Sequence, residues 1–138
     1  DNIEGFFQKI CYYFQRDPGF IIRTVKSRKD LEEYRELAQK EGWEWEKVPF
    51  LISQKLGNLV KELIKRSDKR RTIIVFGGDT TRGILESLGW KRINPGEELL
   101  PGVPLSQVIT EEGEEFYLIT KAGAFGEKET LVKLINVL

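Results

Sequence analysis

The sequence predicts an α/β protein, a layered α/β/α domain with a mostly parallel sheet and an antiparallel hairpin at one edge. Three observations predict it. Helix-like and strand-like periodicities alternate along most of the chain. Thr72-Ile73-Ile74-Val75-Phe76 is a continuous apolar run closed by Gly77-Gly78, the pattern of a strand buried on both faces. Near the end, strand-like runs at Leu105 to Thr110 and Phe116 to Thr120 flank Glu111-Glu112-Gly113-Glu114, a spacing that suits a hairpin. A length of 138 residues is that of one domain, so residues 1–138 are expected to form a single unit.

The elements follow in order. Ile3, Phe6, Phe7, Ile10, Cys11 and Phe14 recur at helical spacing, and Asp17-Pro18-Gly19 ends that helix. Phe20 to Val25 is a short β-rich run and is expected to be the first strand. Ser27 can cap the next helix, whose apolar positions are Leu31, Tyr34, Leu37 and Ala38. Trp43 and Trp45 sit on one face of a strand or cover the edge of the core; the pattern fits both. Pro49 opens a long helix with Leu51, Ile52, Leu56, Leu59, Val60, Leu63 and Ile64 on one side. Gly57 inside it costs about 1 kcal/mol relative to alanine, which predicts close packing against the sheet or a ligand. After Thr72 to Phe76, residues Thr81 to Leu88 read as a helix with Ile84, Leu85 and Leu88 inward and Gly89 as a left-handed cap. A short strand near Lys91 to Ile93 and a loop rich in proline and glycine precede the hairpin. A last helix buries Leu131, Leu134, Ile135 and Leu138.

Composition narrows the functional classes. The 22 basic and 22 acidic residues cancel, which does not suit a duplex-DNA binder. Lys65, Arg66, Lys69, Arg70 and Arg71 cluster where a helix ends, and cations there complement the helix dipole. No histidine is present, so histidine-based nucleophilic catalysis is excluded within this chain, and no metal site is expected. One cysteine, Cys11, permits no internal disulfide, which points to a reducing, cytoplasmic setting. No apolar run approaches the length of a membrane span. The sequence contains no methionine, not even at position 1, which a fragment of a longer protein, a chosen chain boundary or modified methionines would each explain.

The chemistry is concentrated at two glycine turns. Gly77-Gly78-Asp79-Thr80-Thr81 joins a strand to a helix. Ligands of open α/β sheets bind beyond the carboxyl ends of the strands. Glycines there let an anion reach the backbone, and the first helical N–H groups have no internal acceptor. Thr80 and Thr81 add hydroxyls; Asp79 suits capping, a ribose contact or the holding of metal-bound water. The turn is not a Walker A loop, since no Gly-x4-Gly-Lys-Ser/Thr spacing occurs. Taken by itself it is also compatible with a plain strand-to-helix turn capped by Asp79 or Thr80. Lys121-Ala122-Gly123-Ala124-Phe125-Gly126 forms a second such turn. Here Lys121 offers charge to a phosphate or is a surface lysine, and Phe125 packs on a base or joins the core. Pro101-Gly102-Val103-Pro104 is a stiff loop.

The order of these segments, from Ile73 to Leu138, resembles the C-terminal nucleotide-binding domain of the four-carbon acid sugar kinases, the threonate, erythronate and 3-oxo-tetronate kinase-like proteins. That family shows a Gly-Gly-Glu/Asp-Thr-Ser turn, a Pro-Gly-Val-Pro loop and a Lys-Ser-Gly-Asn/Gly-Phe-Gly turn before a final helix. Thr81, Ala122 and Ala124 depart from the pattern. The resemblance implies an ATP site, with Mg2+, built on Gly77, Gly78, Asp79, Thr80 and Gly123, with Thr81, Lys121 and Phe125 beside them. It also implies an N-terminal sugar-acid-binding domain outside this sequence, which would supply the catalytic group. ATP and ADP are the implied partners, with a homo-oligomer as a further expectation. The rival reading is a ligand-sensing or assembly module without catalysis that keeps the glycine turns for folding.

Overall fold

A computed structural model describes residues 2–17, 19–66, 72–123 and 129–138. Among these residues, five helices and four strands run in the order α1 (Asn2–Arg16), α2 (Arg28–Lys40), a 3-10 turn (Trp45–Lys47), α3 (Val48–Lys65), β1 (Thr72–Phe76), α4 (Gly78–Leu88), β2 (Ile93–Leu100), β3 (Val103–Ile109), β4 (Glu115–Lys121) and α5 (Thr130–Val137).

The four strands form one sheet in the order β1-β4-β3-β2. Only β1 and β4 are parallel, with Thr72 opposite Tyr117 and Phe76 opposite Lys121. β3 runs antiparallel to both β4 and β2. The expectation of a mostly parallel sheet is therefore corrected: one parallel pair is carried on an antiparallel meander. The hairpin turn lies at Glu111 to Glu114 as the pattern predicts, with Gly113 at positive φ.

Alternation along the strands sorts the core into two layers. Val75, Val108, Phe116 and Leu118 face Ile84 and Trp90, with Val60, Ile64, Leu85 and Leu88 packed around them. On the opposite face Val103 and Ile119 meet Leu134 of α5, with Ile74, Leu99, Leu100 and Leu105. Helices α3 and α4 thus cover one face and α5 the other, a three-layer α/β/α arrangement. A third cluster, Ile10 and Phe14 of α1 with Leu63, Leu59, Phe20 and Ile22, fixes α1 to the outside of α3.

Three further expectations are corrected. Phe20 to Val25 is irregular chain and not a strand. Its β propensity finds no ladder partner, and Ile21 is 67% exposed. The proline- and glycine-rich segment after Ile93 belongs to β2, which runs to Leu100. β2 is an edge strand with register shifts between Pro95 and Glu98, where a proline is tolerated. Gly96 within it lies so close to β3 that a Cβ would come 2.8 Å from the Leu105 carbonyl oxygen. Finally, Gly57 packs against another helix, not against the sheet or a ligand: a Cβ there would stand 2.6 Å from the Gly83 carbonyl oxygen of α4. Of the two placements open for the tryptophans, neither strand nor core edge describes Trp43, which is exposed beside the 3-10 turn that begins at Trp45. Ser27 caps α2 as the sequence indicates, in a reciprocal capping box with Asp30.

No helix among the described residues is long and apolar enough to cross a membrane.

Candidate functional site

The site is set by the one parallel strand pair. β1 and β4 end side by side, and the Gly77 N–H donates to the Lys121 carbonyl at 2.9 Å just beyond the last ladder pair. After β1 the chain turns onto the α4 face, while β4 leads towards α5 on the other. Neighbouring parallel strands whose connections leave to opposite faces open a crevice at their carboxyl ends.

Gly77 makes the turn possible. Its φ of 101° and ψ of 131° lie where a side chain is strained, and it serves as the N-cap of α4 without any side-chain cap. The Thr81 N–H and hydroxyl both donate to the Gly77 carbonyl, at 3.0 and 2.8 Å. That leaves the N–H groups of Gly78, Asp79 and Thr80 without an acceptor among the described residues, at the positive end of the helix dipole. Neither Asp79 nor Thr80 is the N-cap.

The second turn lies directly opposite. A Cβ on Gly123 would come 3.8 Å from the Gly77 Cα, so the two glycine turns are in van der Waals reach. Gly78 has open space where its Cβ would be. Lys121 extends beside this mouth, with Nζ 3.0 Å from the Ala122 carbonyl oxygen and 5.8 Å from the centre of the Phe76 ring.

From this mouth an open cavity of about 680 Å³ runs along the outer flank of α4. Gly78, Thr81 and Lys121, all singled out by the sequence, line it. Gly77, Asp79, Thr80 and Gly123 stand around the mouth and do not line the cavity. Phe125 lies outside the described residues. The structure adds lining groups that the sequence reading did not select: Arg82, Leu85, Glu86, Gly89, Trp90, Lys91 and Thr120. Helical spacing could have found most of them, because Gly78, Arg82, Leu85, Glu86 and Gly89 fall on one stripe of α4. Arg82 and Glu86 pair at 2.8 Å on the rim, and the Glu86 carboxylate raises the Arg82 pKa. Trp90 forms part of the wall, its ring centre 4.8 Å from that of Phe116. Among the described residues, no group of three or more His, Cys, Asp or Glu side chains could hold a metal ion.

The chain matches the family described as nucleotide-binding C-terminal domain over residues 2–131. It belongs to that family, as the C-terminal nucleotide-binding domain found in four-carbon acid sugar kinases. It is 24% identical over 130 residues to a D-threonate kinase of Salmonella typhimurium, covering 94% of this chain and 30% of that protein. It is 30% identical over 81 residues to a 3-oxo-tetronate kinase of Cupriavidus necator, covering 59% of this chain and 18% of the relative. The chain thus spans under a third of the length of these relatives. Among solved structures, a Haemophilus influenzae protein matches 99% of this chain and 31% of its own, with a TM-score of 0.69 at 17% identity, a likeness of fold. A Bordetella bronchiseptica protein with bound citrate, solved as a domain-swapped dimer, matches 59% of this chain and 21% of its own, with a TM-score of 0.53 at 28% identity.

Proposed function

We propose that this domain is the ATP-binding, C-terminal part of a two-domain kinase that transfers the γ-phosphoryl group to a hydroxyl of a four-carbon sugar acid. The observation that carries the reading is the bare mouth of α4. Gly78 presents an uncovered backbone, its N–H and its two successors lack acceptors among the described residues, and Gly123 closes the opposite side without a side chain. In a member of a nucleotide-binding family, such a mouth suits the phosphates. Lys121 adds positive charge at the same place. The names of the relatives supply the substrate class.

In phosphoryl transfer of this kind the protein contributes positioning and charge stabilisation. The bond from the γ-phosphorus to the bridging oxygen breaks, a bond from the sugar hydroxyl oxygen to phosphorus forms, and the hydroxyl proton passes to a base. The one carboxylate at the mouth among the described residues, Asp79, is given to metal-bound water, and the base is assigned to the N-terminal domain. The N–H groups of Gly78 to Thr80 hold phosphate oxygens, and Lys121 offsets their charge. Thr81 shapes the wall, because its hydroxyl proton already serves Gly77. Magnesium is typically bound through one or two carboxylates together with substrate phosphates and water. Asp79, exposed in the first turn of α4, fits as one such carboxylate holding metal-bound water, and the ion would neutralise charge on the phosphates.

Isothermal titration of the 138-residue chain with ADP tests the reading. Weak binding, with no turnover of ATP in the presence of threonate, is expected from a domain that lacks the sugar-acid site. The absence of both heat and thermal shift at millimolar ADP would contradict nucleotide binding and favour the assembly-module reading.

A further inference from the structure

A second cavity, of about 550 Å³, opens between α2 and the chain that follows it. It shares no lining residue with the cavity along α4. Its floor is Ala38, which is buried, and its sides are Glu32, Arg35 and Glu36 of α2 with Trp43 and Trp45. The three α2 side residues recur at helical spacing, so they stand on one stripe of the helix. The end of α2 brings the tryptophans to that stripe. Gly42 takes the left-handed conformation, its N–H donates to the Gln39 carbonyl at 3.2 Å, and the Trp43 N–H donates to the Ala38 carbonyl at 2.7 Å. This Schellman ending turns the chain back, so that Trp43 lines the cavity beside Ala38. The 3-10 turn then presents the second ring at Trp45.

The walls already hold one cation. The Arg35 guanidinium lies 5.0 Å from the centre of the Trp45 ring. Trp43 is 51% exposed, and among the described residues no cation stands over its ring. Glu32 and Glu36 form no ion pair among the described residues, and the nearby Lys29 and Lys47 are taken by Glu33 and Glu44, at 3.8 and 2.6 Å. The carboxylates therefore outnumber the guanidinium. An electron-rich indole face beside an excess of negative charge attracts a cation that also has apolar surface. An anion would meet the carboxylates, and a neutral apolar group would leave them unpaired. An alkylated ammonium suits the indole better than a bare one, because its methyl groups bury on the ring and its charge is weakly hydrated.

We propose that this cavity binds a small organic cation, an alkylated ammonium ion, with its methyl groups on Trp43 and its charge towards Glu32 and Glu36. The site stands apart from the glycine turns and does not depend on nucleotide binding.

Choline is the probe, and dimethylbutanol, the same shape with carbon in place of the charged nitrogen, is the control. The indole N–H signals of Trp43, Trp45 and Trp90 are followed by NMR while each is added to the 138-residue chain. Choline is expected to shift the Trp43 signal saturably and to leave that of Trp90, in the other cavity, in place. The neutral alcohol is expected to bind about fivefold more weakly, the scale of an exposed cation–π contact. Glu32→Gln combined with Glu36→Gln is expected to weaken choline about threefold. Trp43→Ala is expected to remove the saturable shift of Trp45. All three positions are exposed, so these variants test binding and not folding. Equal affinity for choline and the alcohol, undiminished choline affinity in either variant, a shift confined to Trp90, or no saturable change at Trp43 at tens of millimolar choline would overturn the site.

Discussion

Two groups of glycines meet on α4, at Gly78 and at Gly83, and behave in opposite ways. In the seam between α3 and α4, glycine is demanded by packing. A Cβ on Gly57 would meet the Ser87 Oγ at 2.3 Å, and one on Gly83 would meet the Ser53 Cβ at 2.5 Å and its backbone carbon at 2.8 Å. At the mouth between β1 and β4, the requirement falls away. Gly77 needs its positive φ, but a Cβ on Gly78 touches nothing within 4 Å and one on Gly123 makes an ordinary contact. The seam explains its small residues from within the fold. Among the described residues the mouth gives Gly78 and Gly123 no folding reason, and a bound ligand would provide one.

That contrast can be broken by substitution, and the largest effect belongs to the seam. Gly83→Ala drives a methyl group into the α3 backbone and is expected to cost about 3 kcal/mol by chemical denaturation. A cost near zero would mean that the helices slide apart freely. Gly77→Ala is next, at about 2 kcal/mol from strain at positive φ. Gly123→Val should cost about 1 kcal/mol or less, since its Cβ sits at contact distance from Gly77, yet it should abolish ADP binding. Gly78→Val should change stability least, by roughly 0.5 kcal/mol, because open space surrounds the new side chain.

Much of this comparison was legible in the residues. The strand Thr72 to Phe76, the helix up to Leu88 and the cap at Gly89 follow from local rules: an apolar run, helical periodicity and a glycine at the left-handed position. The hairpin around Gly113 is equally local. What could not be read depends on partners distant in sequence. Phe20 to Val25 has strand composition, but pairing is a tertiary event, and Phe20 and Ile22 instead pack against α1 and α3. The direction of β3 relative to β4 was legible from their short turn, whereas the antiparallel addition of β2 was obscured by Pro95 and Gly96, which mimic a loop. At the site, Gly78, Thr81 and Lys121 were found through their turns, while Trp90 was not. It lies after the cap in an undistinguished stretch, and only folding carries it beneath the flank of α4.

The central claim is that Gly78 is bare for a ligand and not for the fold. Calorimetric titration of ADP into the unmodified chain and into Gly78→Val, with a melting curve for each, tests it most directly. The account predicts binding by the former, none by the latter, and melting temperatures within about 3 °C of each other in the absence of nucleotide. Equal ADP affinity in the two proteins would contradict it.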